Sequence, residues 1–90
     1  MSSLKIVRML SGEDVLAKVE QNDSDYVSLD EAVVIIPTQN QSVQFVPYAP
    51  FVKQNQQILV KQSMVVYVAE PAEDFVDHHR QMFSGLVVPK

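Results

Sequence analysis

The chain has no cysteine, no tryptophan and only two glycines among its 90 residues. Without cysteine it holds no disulfide framework, no thiolate nucleophile and no sulfur ligand for zinc. Gly12 and Gly85 are too few for a phosphate-cradling loop, and no serine sits in a Gly-x-Ser-x-Gly elbow. No apolar run approaches the roughly 20 residues needed to span a bilayer. The opening Met-Ser-Ser-Leu-Lys lacks the basic-then-apolar layout of a signal peptide. These absences predict one soluble cytoplasmic domain over residues 1–90, non-catalytic, with no cofactor and no membrane partner. Apolar residues make up 47% of the chain, enough to exclude intrinsic disorder.

Acidic residues are also missing from a long stretch. The net charge of −4 argues against a general phosphate-backbone binder. Its distribution says more than its sum. Glu20, Asp23, Asp25, Asp30 and Glu31 crowd one segment, and Glu70, Glu73, Asp74 and Asp77 another. Residues 32–69 between them carry no acid at all, only Lys53 and Lys61 among many glutamines and asparagines. An acidic protein with one neutral-to-basic surface follows.

Hydrophobic periodicity predicts mostly strands. Residues 4–10 form a first candidate, stopped by Ser11-Gly12. Val15, Ala17 and Val19 alternate with Leu16, Lys18 and Glu20, the period of a half-buried strand. Residues 22–25 carry turn chemistry, since short Asx side chains satisfy local backbone groups. A strand restarts at Tyr26 and runs to Pro37, a hairpin loop over 38–42 follows, and Pro47-Tyr48-Ala49-Pro50 marks an edge, bulge or break. Residues 58–61 and 64–69 make two more short strands. After Glu70 the period changes. Pro71 suits a first helical position, and Glu70, Glu73 and Asp74 complement the positive helix end. Phe75, His79, Met82 and Phe83 fall on one stripe, with Gly85 as the stop and 86–89 as an extended tail. The layout is five or six strands over about 4–69 and a helix over about 71–84. A small, partly open barrel with the helix capping one end accommodates it economically.

The remaining candidate chemistries are weak. His78 and His79 point about 100° apart on a helix and cannot face one ion, so no metal site is expected; Asp74 and His78 alone supply too few ligands. The acid pairs Glu13-Asp14 and Asp30-Glu31 are adjacent on strands or turns and face opposite ways, which suits solvated loops better than shared protons.

Val7-Arg8-Met9-Leu10-Ser11-Gly12, then Ala17-Lys18-Val19, then Leu29-Asp30-Glu31-Ala32, resembles the first motif of Sm and Sm-like proteins. Val60-Lys61-Gln62-Ser63-Met64-Val65-Val66-Tyr67-Val68 resembles the second. The matches cover about half the chain in the right order, and the sequence looks most like small Sm-like proteins of marine bacteriophages. The resemblance implies a mainly β, SH3-type open barrel that assembles by edge-strand pairing into a homo-oligomeric ring. It also implies weak binding of single-stranded RNA at Tyr26, Lys61 and Gln62. Tyr26 stands where the family places an asparagine, and Lys61-Gln62 replaces Arg-Gly. Lysine keeps the charge but lacks the planar fork that stacks on bases. Such a ring that docks another protein and binds no RNA, an assembly module, is the alternative.

Two further features bear on these readings. Tyr48, Phe51 and Lys53 form a second set of RNA candidates, since aromatic faces and amides suit single strands; the same aromatics also suit packing anchors around the proline break. Residues 58–60 and 64–68 are apolar on both faces, and a sheet's own core covers only one. The other calls for the terminal helix or a neighbouring chain, and head-to-tail pairing of identical edges closes a ring when the rotation permits.

Overall fold

The computed structural model describes residues 3–21, 25–40, 42–53 and 56–84. The turn at 22–24, the helix stop at Gly85 and the tail at 86–89 lie outside them. Six strands form: β1 (Ser3–Met9), β2 (Asp14–Gln21), β3 (Tyr26–Pro37), β4 (Val43–Pro47), β5 (Ile58–Lys61) and β6 (Val65–Ala69). A single 3₁₀ turn, Gln62–Met64, links β5 to β6, and one helix, α1 (Glu73–Ser84), follows. All pairings are antiparallel, in the order β4-β3-β2-β1-β6. The fold is thus mainly β, a six-stranded antiparallel sheet followed by one helix, and it is compatible with a small barrel.

β3 organises the sheet because it is long enough to take two partners on one edge. Its first half pairs with β5, from Tyr26↔Lys61 to Leu29↔Ile58. Its second half pairs with β4, from Val33↔Pro47 to Pro37↔Val43. The opposite edge pairs with β2 along most of its length.

A β-bulge joins the two halves. Leu16 pairs with Val33 and Lys18 with Asp30, so Glu31 and Ala32 together oppose Ala17. Glu31 takes φ of +52°, the left-handed region that a non-glycine residue enters at a cost. The extra residue inverts the alternation: before the bulge Val27 and Leu29 join the main core, and after it Ala32 and Val34 do. This explains how the unbroken apolar run 32–36 fits a strand with two covered faces.

The main core gathers Val7, Met9, Val15, Ala17, Val27 and Leu29, with Tyr48, Val60 and Val65 packed against them. Leu16 and Val33, of opposite parity on their strands, are buried on the other face. There α1 lies against the sheet. Leu4, Lys18 and Glu31 share a crevice with Val76, His79 and Phe83, and Phe45 meets Phe75 edge-on at 5.9 Å between centroids. The helix therefore covers the outward face of β1–β4, where the sequence pattern suggested a cap on one barrel end. A 12-residue helix is marginal alone, so this docking holds it. Glu73 and Asp74 sit in its first turn, and the Ala72 carbonyl accepts from the Phe75 and Val76 N–H groups.

Gly12 closes the β1–β2 connection at φ of +102°, with its N–H donating to the Met9 carbonyl at 2.8 Å. A Cβ there would meet no atom within 4 Å, so glycine is required by the backbone angle and not by space.

Candidate functional site

The three residues singled out for RNA come together. Tyr26 opens β3 and Lys61 ends β5, directly opposite each other in the ladder. The Gln62 N–H donates to the Asp25 carbonyl at 2.8 Å, which extends that pairing by one step into the 3₁₀ turn. Asp25, Tyr26, Lys61, Gln62 and Ser63 thereby line one cleft of about 480 Å³. Tyr26 keeps more than a third of its surface exposed, and Lys61 and Ser63 are exposed. The Gln62 carboxamide oxygen accepts from the Gln21 amide at 3.2 Å, which orients its amide nitrogen as a donor. An aromatic face, one cation, one amide, one hydroxyl and one carboxylate converge. Among the described residues this set can stack a planar ring and hydrogen-bond its edge.

The second set of candidates separates. Tyr48 is half-buried against the core, tied to β3 by its N–H donating to the Ala32 carbonyl at 3.1 Å. Burial, and then the charge of Glu13, raise its hydroxyl above the ordinary tyrosine value. Phe51 is 100% exposed. Lys53 lines a groove of about 300 Å³ with residues of β3, β5 and the end of α1. That groove reaches Ile58, at the other end of β5 from Lys61. Three strand residues, roughly 10 Å, separate the two sites.

The histidines divide in the same way. His79 is 3% exposed, its Nε2 donates to the Glu31 carbonyl at 2.9 Å, and its ring lies 4.5 Å from Phe83. The strained bulge is thus tied to α1. The Glu31 carboxylate also approaches Lys18 Nζ at 3.3 Å and His79 Nε2 at 3.9 Å. His78 is exposed and lies beside Phe45, with 5.2 Å between ring centroids. Among the described residues no three His, Cys, Asp or Glu side chains cluster as a metal site would require.

The acid pairs are more engaged than solvated loops would be. Asp14 receives Arg8 Nε at 2.6 Å and Nη2 at 3.1 Å, a bidentate contact between directly paired strand residues. The Asp14 hydrogen bond, reinforced by its charge, raises the Arg8 pKa further. Arg8 also stands 5.9 Å from the Tyr67 ring centroid, its partner on β6, so one row crosses β2, β1 and β6. Sequence reasoning missed this row; only the alternation placing Arg8 opposite Asp14 across the Gly12 turn hinted at it.

The sheet leaves apolar surface uncovered. Leu59 on β5 and Val66, Tyr67 and Val68 on β6 are all 44–56% exposed. Among the described residues, the outer edges of β5 and β6 pair with no strand. No helix among those residues is long and apolar enough to cross a membrane. No family model matches the sequence, and no curated protein is significantly similar to it.

Proposed function

We propose that this chain is an Sm-like, non-catalytic protein that assembles through its open strand edges into a homo-oligomeric ring and binds single-stranded RNA weakly. The observation that carries the reading is the cleft at the end of β5, where Tyr26 meets Lys61 and Gln62, 35 and 36 positions further along the sequence, in one lining. Stacking on Tyr26 contributes about 1–3 kcal/mol per base. Lys61 supplies the one cation and Gln62 an amide for a base edge. Asp25 opposes phosphate, which keeps affinity low and favours contact through bases.

The ring rests on a separate feature, the unpaired outer edges of β5 and β6 with Leu59, Val66 and Val68 exposed beside them. Among the described residues the sheet is open on both sides, at β4 and β5 on one and at β6 on the other, which suits head-to-tail addition; exposed apolar edges are otherwise an aggregation hazard.

Fluorescence anisotropy with short U-rich and A-rich RNA at low salt tests the binding. Saturable binding in the range of about 10–100 µM is expected, and its absence at about 100 µM removes RNA as the partner. Recovery of proteins without RNA by the same ring would then favour the assembly module.

A further inference from the structure

We propose that the 48–53 turn and the groove beside it form a self-complementary face, on which a second copy of this chain docks by exchanging Phe51 side chains. The turn is built to present this residue. Val52 N–H donates to the Ala49 carbonyl at 3.1 Å, closing a four-residue turn with Pro50 at its second position. Proline presets the backbone angle there, so Phe51 is held at the tip and does not trail loosely. Its side chain is 100% exposed, an arrangement that leaves a whole aromatic ring in water.

The groove lies on the same turn. Pro50 and Val52, the two neighbours of Phe51, line it, together with Val33 of β3, Ile58 of β5 and Phe83 of α1. Its volume is about 300 Å³, while an apolar cavity of about 150 Å³ is enough for benzene. Phe51 does not fill its own groove, since it is fully exposed. A knob and a hole on one patch are what a two-fold contact needs, because each copy then gives its knob to the other's hole.

Charge favours the second copy over an unrelated partner. Among the described residues, both acid-rich segments contribute nothing to the groove wall apart from Glu31, so two copies of a −4 chain meet here with little repulsion. Among the described residues, the charged side chains on the groove wall are Lys53 and Glu31. Across a two-fold axis Lys53 of each copy can meet Glu31 of the other, whose carboxylate also has its own Lys18 at 3.3 Å, and the contact forms twice. Two buried phenylalanines supply roughly 300–500 Å² of buried surface. A specific interface needs about 1,000 Å², which leaves the larger share to the groove walls, Val52 and Lys53.

This face takes Ile58 from the start of β5 and nothing from β6, so with the ring closed through the β6 edge the contact pairs monomers or stacks rings alike. Native mass spectrometry at tens of micromolar protein separates the two. Phe51→Ser is expected to halve the mass of the wild-type assembly, whatever its subunit number, with the far-ultraviolet circular dichroism unchanged. Lys53→Glu, which sets acid against Glu31, is expected to shift the same equilibrium toward the half-mass species. Val66→Asp, on the β6 edge, is expected to leave dimers, and its combination with Phe51→Ser only monomers. A Phe51→Ser mass equal to that of wild type overturns the proposal. So does a variant that keeps its mass but loses RNA affinity, which would make Phe51 a base-stacking residue. A Val66→Asp variant that keeps the wild-type mass counts against the ring and leaves the Phe51 contact standing.

Discussion

Tyr26 and Lys61 stand directly opposite each other across β3 and β5, and the hydrogen bond from Gln62 to the Asp25 carbonyl carries the pairing one residue further. That register gives the chain one site holding an aromatic face, a cation and an amide. Removing each side chain should therefore act differently. Tyr26→Ala is expected to weaken RNA binding by about 1–3 kcal/mol, and Tyr26→Phe to retain it, because stacking needs only the ring. Lys61→Ala is expected to reduce affinity and flatten the salt dependence, while Lys61→Arg tightens binding through its planar fork. With one lysine in the site, log K should fall with log salt at a slope of about −0.7 per occupied subunit. Anisotropy titrations from about 25 to 200 mM salt read both effects.

The link between His79 and Glu31 predicts stability. His79→Phe keeps a ring against Phe83 but takes away the donor to the Glu31 carbonyl. A part-buried acceptor left without a partner costs up to about 1–3 kcal/mol. At this chain length each 1 kcal/mol corresponds to roughly 4–8 °C in Tm, so thermal unfolding should show a clear drop.

Glu31 itself allows a test of backbone strain. Glu31→Ala and Glu31→Gly both lose the contact with Lys18, but only glycine adopts a φ of +52° at no steric cost. The glycine variant is expected to be more stable than the alanine variant by about 1 kcal/mol. Equal denaturant midpoints for the two would show that the bulge angle is not maintained in solution.

Tyr48 predicts an alkaline effect. Burial, then Glu13, hold its hydroxyl pKa above the ordinary value of about 10. A folded-state value above the unfolded one adds stability below about pH 10 that is lost as pH rises through the folded value. Wild type should therefore lose Tm more steeply than Tyr48→Phe above about pH 10. Parallel curves for the two proteins would contradict the assignment.

Most strand positions were legible because alternation and turn chemistry agree over residues 4–20 and at Pro37, Pro47 and the 38–42 hairpin. The helix was legible for a different reason: the acids of the first turn and the Phe75–His79–Phe83 stripe point one way, although the helix starts at Glu73 and leaves Pro71 before it rather than at its first position. The bulge was not. It needs a residue with positive φ, and no glycine marks it, since Glu31 occupies that position and is tied down by His79 and Lys18, remote in sequence. Sharing of one β3 edge by β4 and β5 was equally hidden, because periodicity gives a strand's faces and says nothing of which neighbours take its edges. For the candidate site, Tyr26, Lys61 and Gln62 were picked by resemblance and prove to be neighbours. Tyr48 and Phe51, alike in composition and three positions apart, have opposite fates. The closed turn at Pro50 turns one toward the core and the other into solvent.

The most direct test of the account is ultraviolet cross-linking of the wild-type protein to a short U-rich RNA, with the adduct located by peptide mass spectrometry. Nucleotide adducts are expected on the peptides that carry Tyr26 and residues 61–63. Adducts confined to other peptides, with Tyr26 and 61–63 unmodified under conditions where RNA is bound, would contradict it.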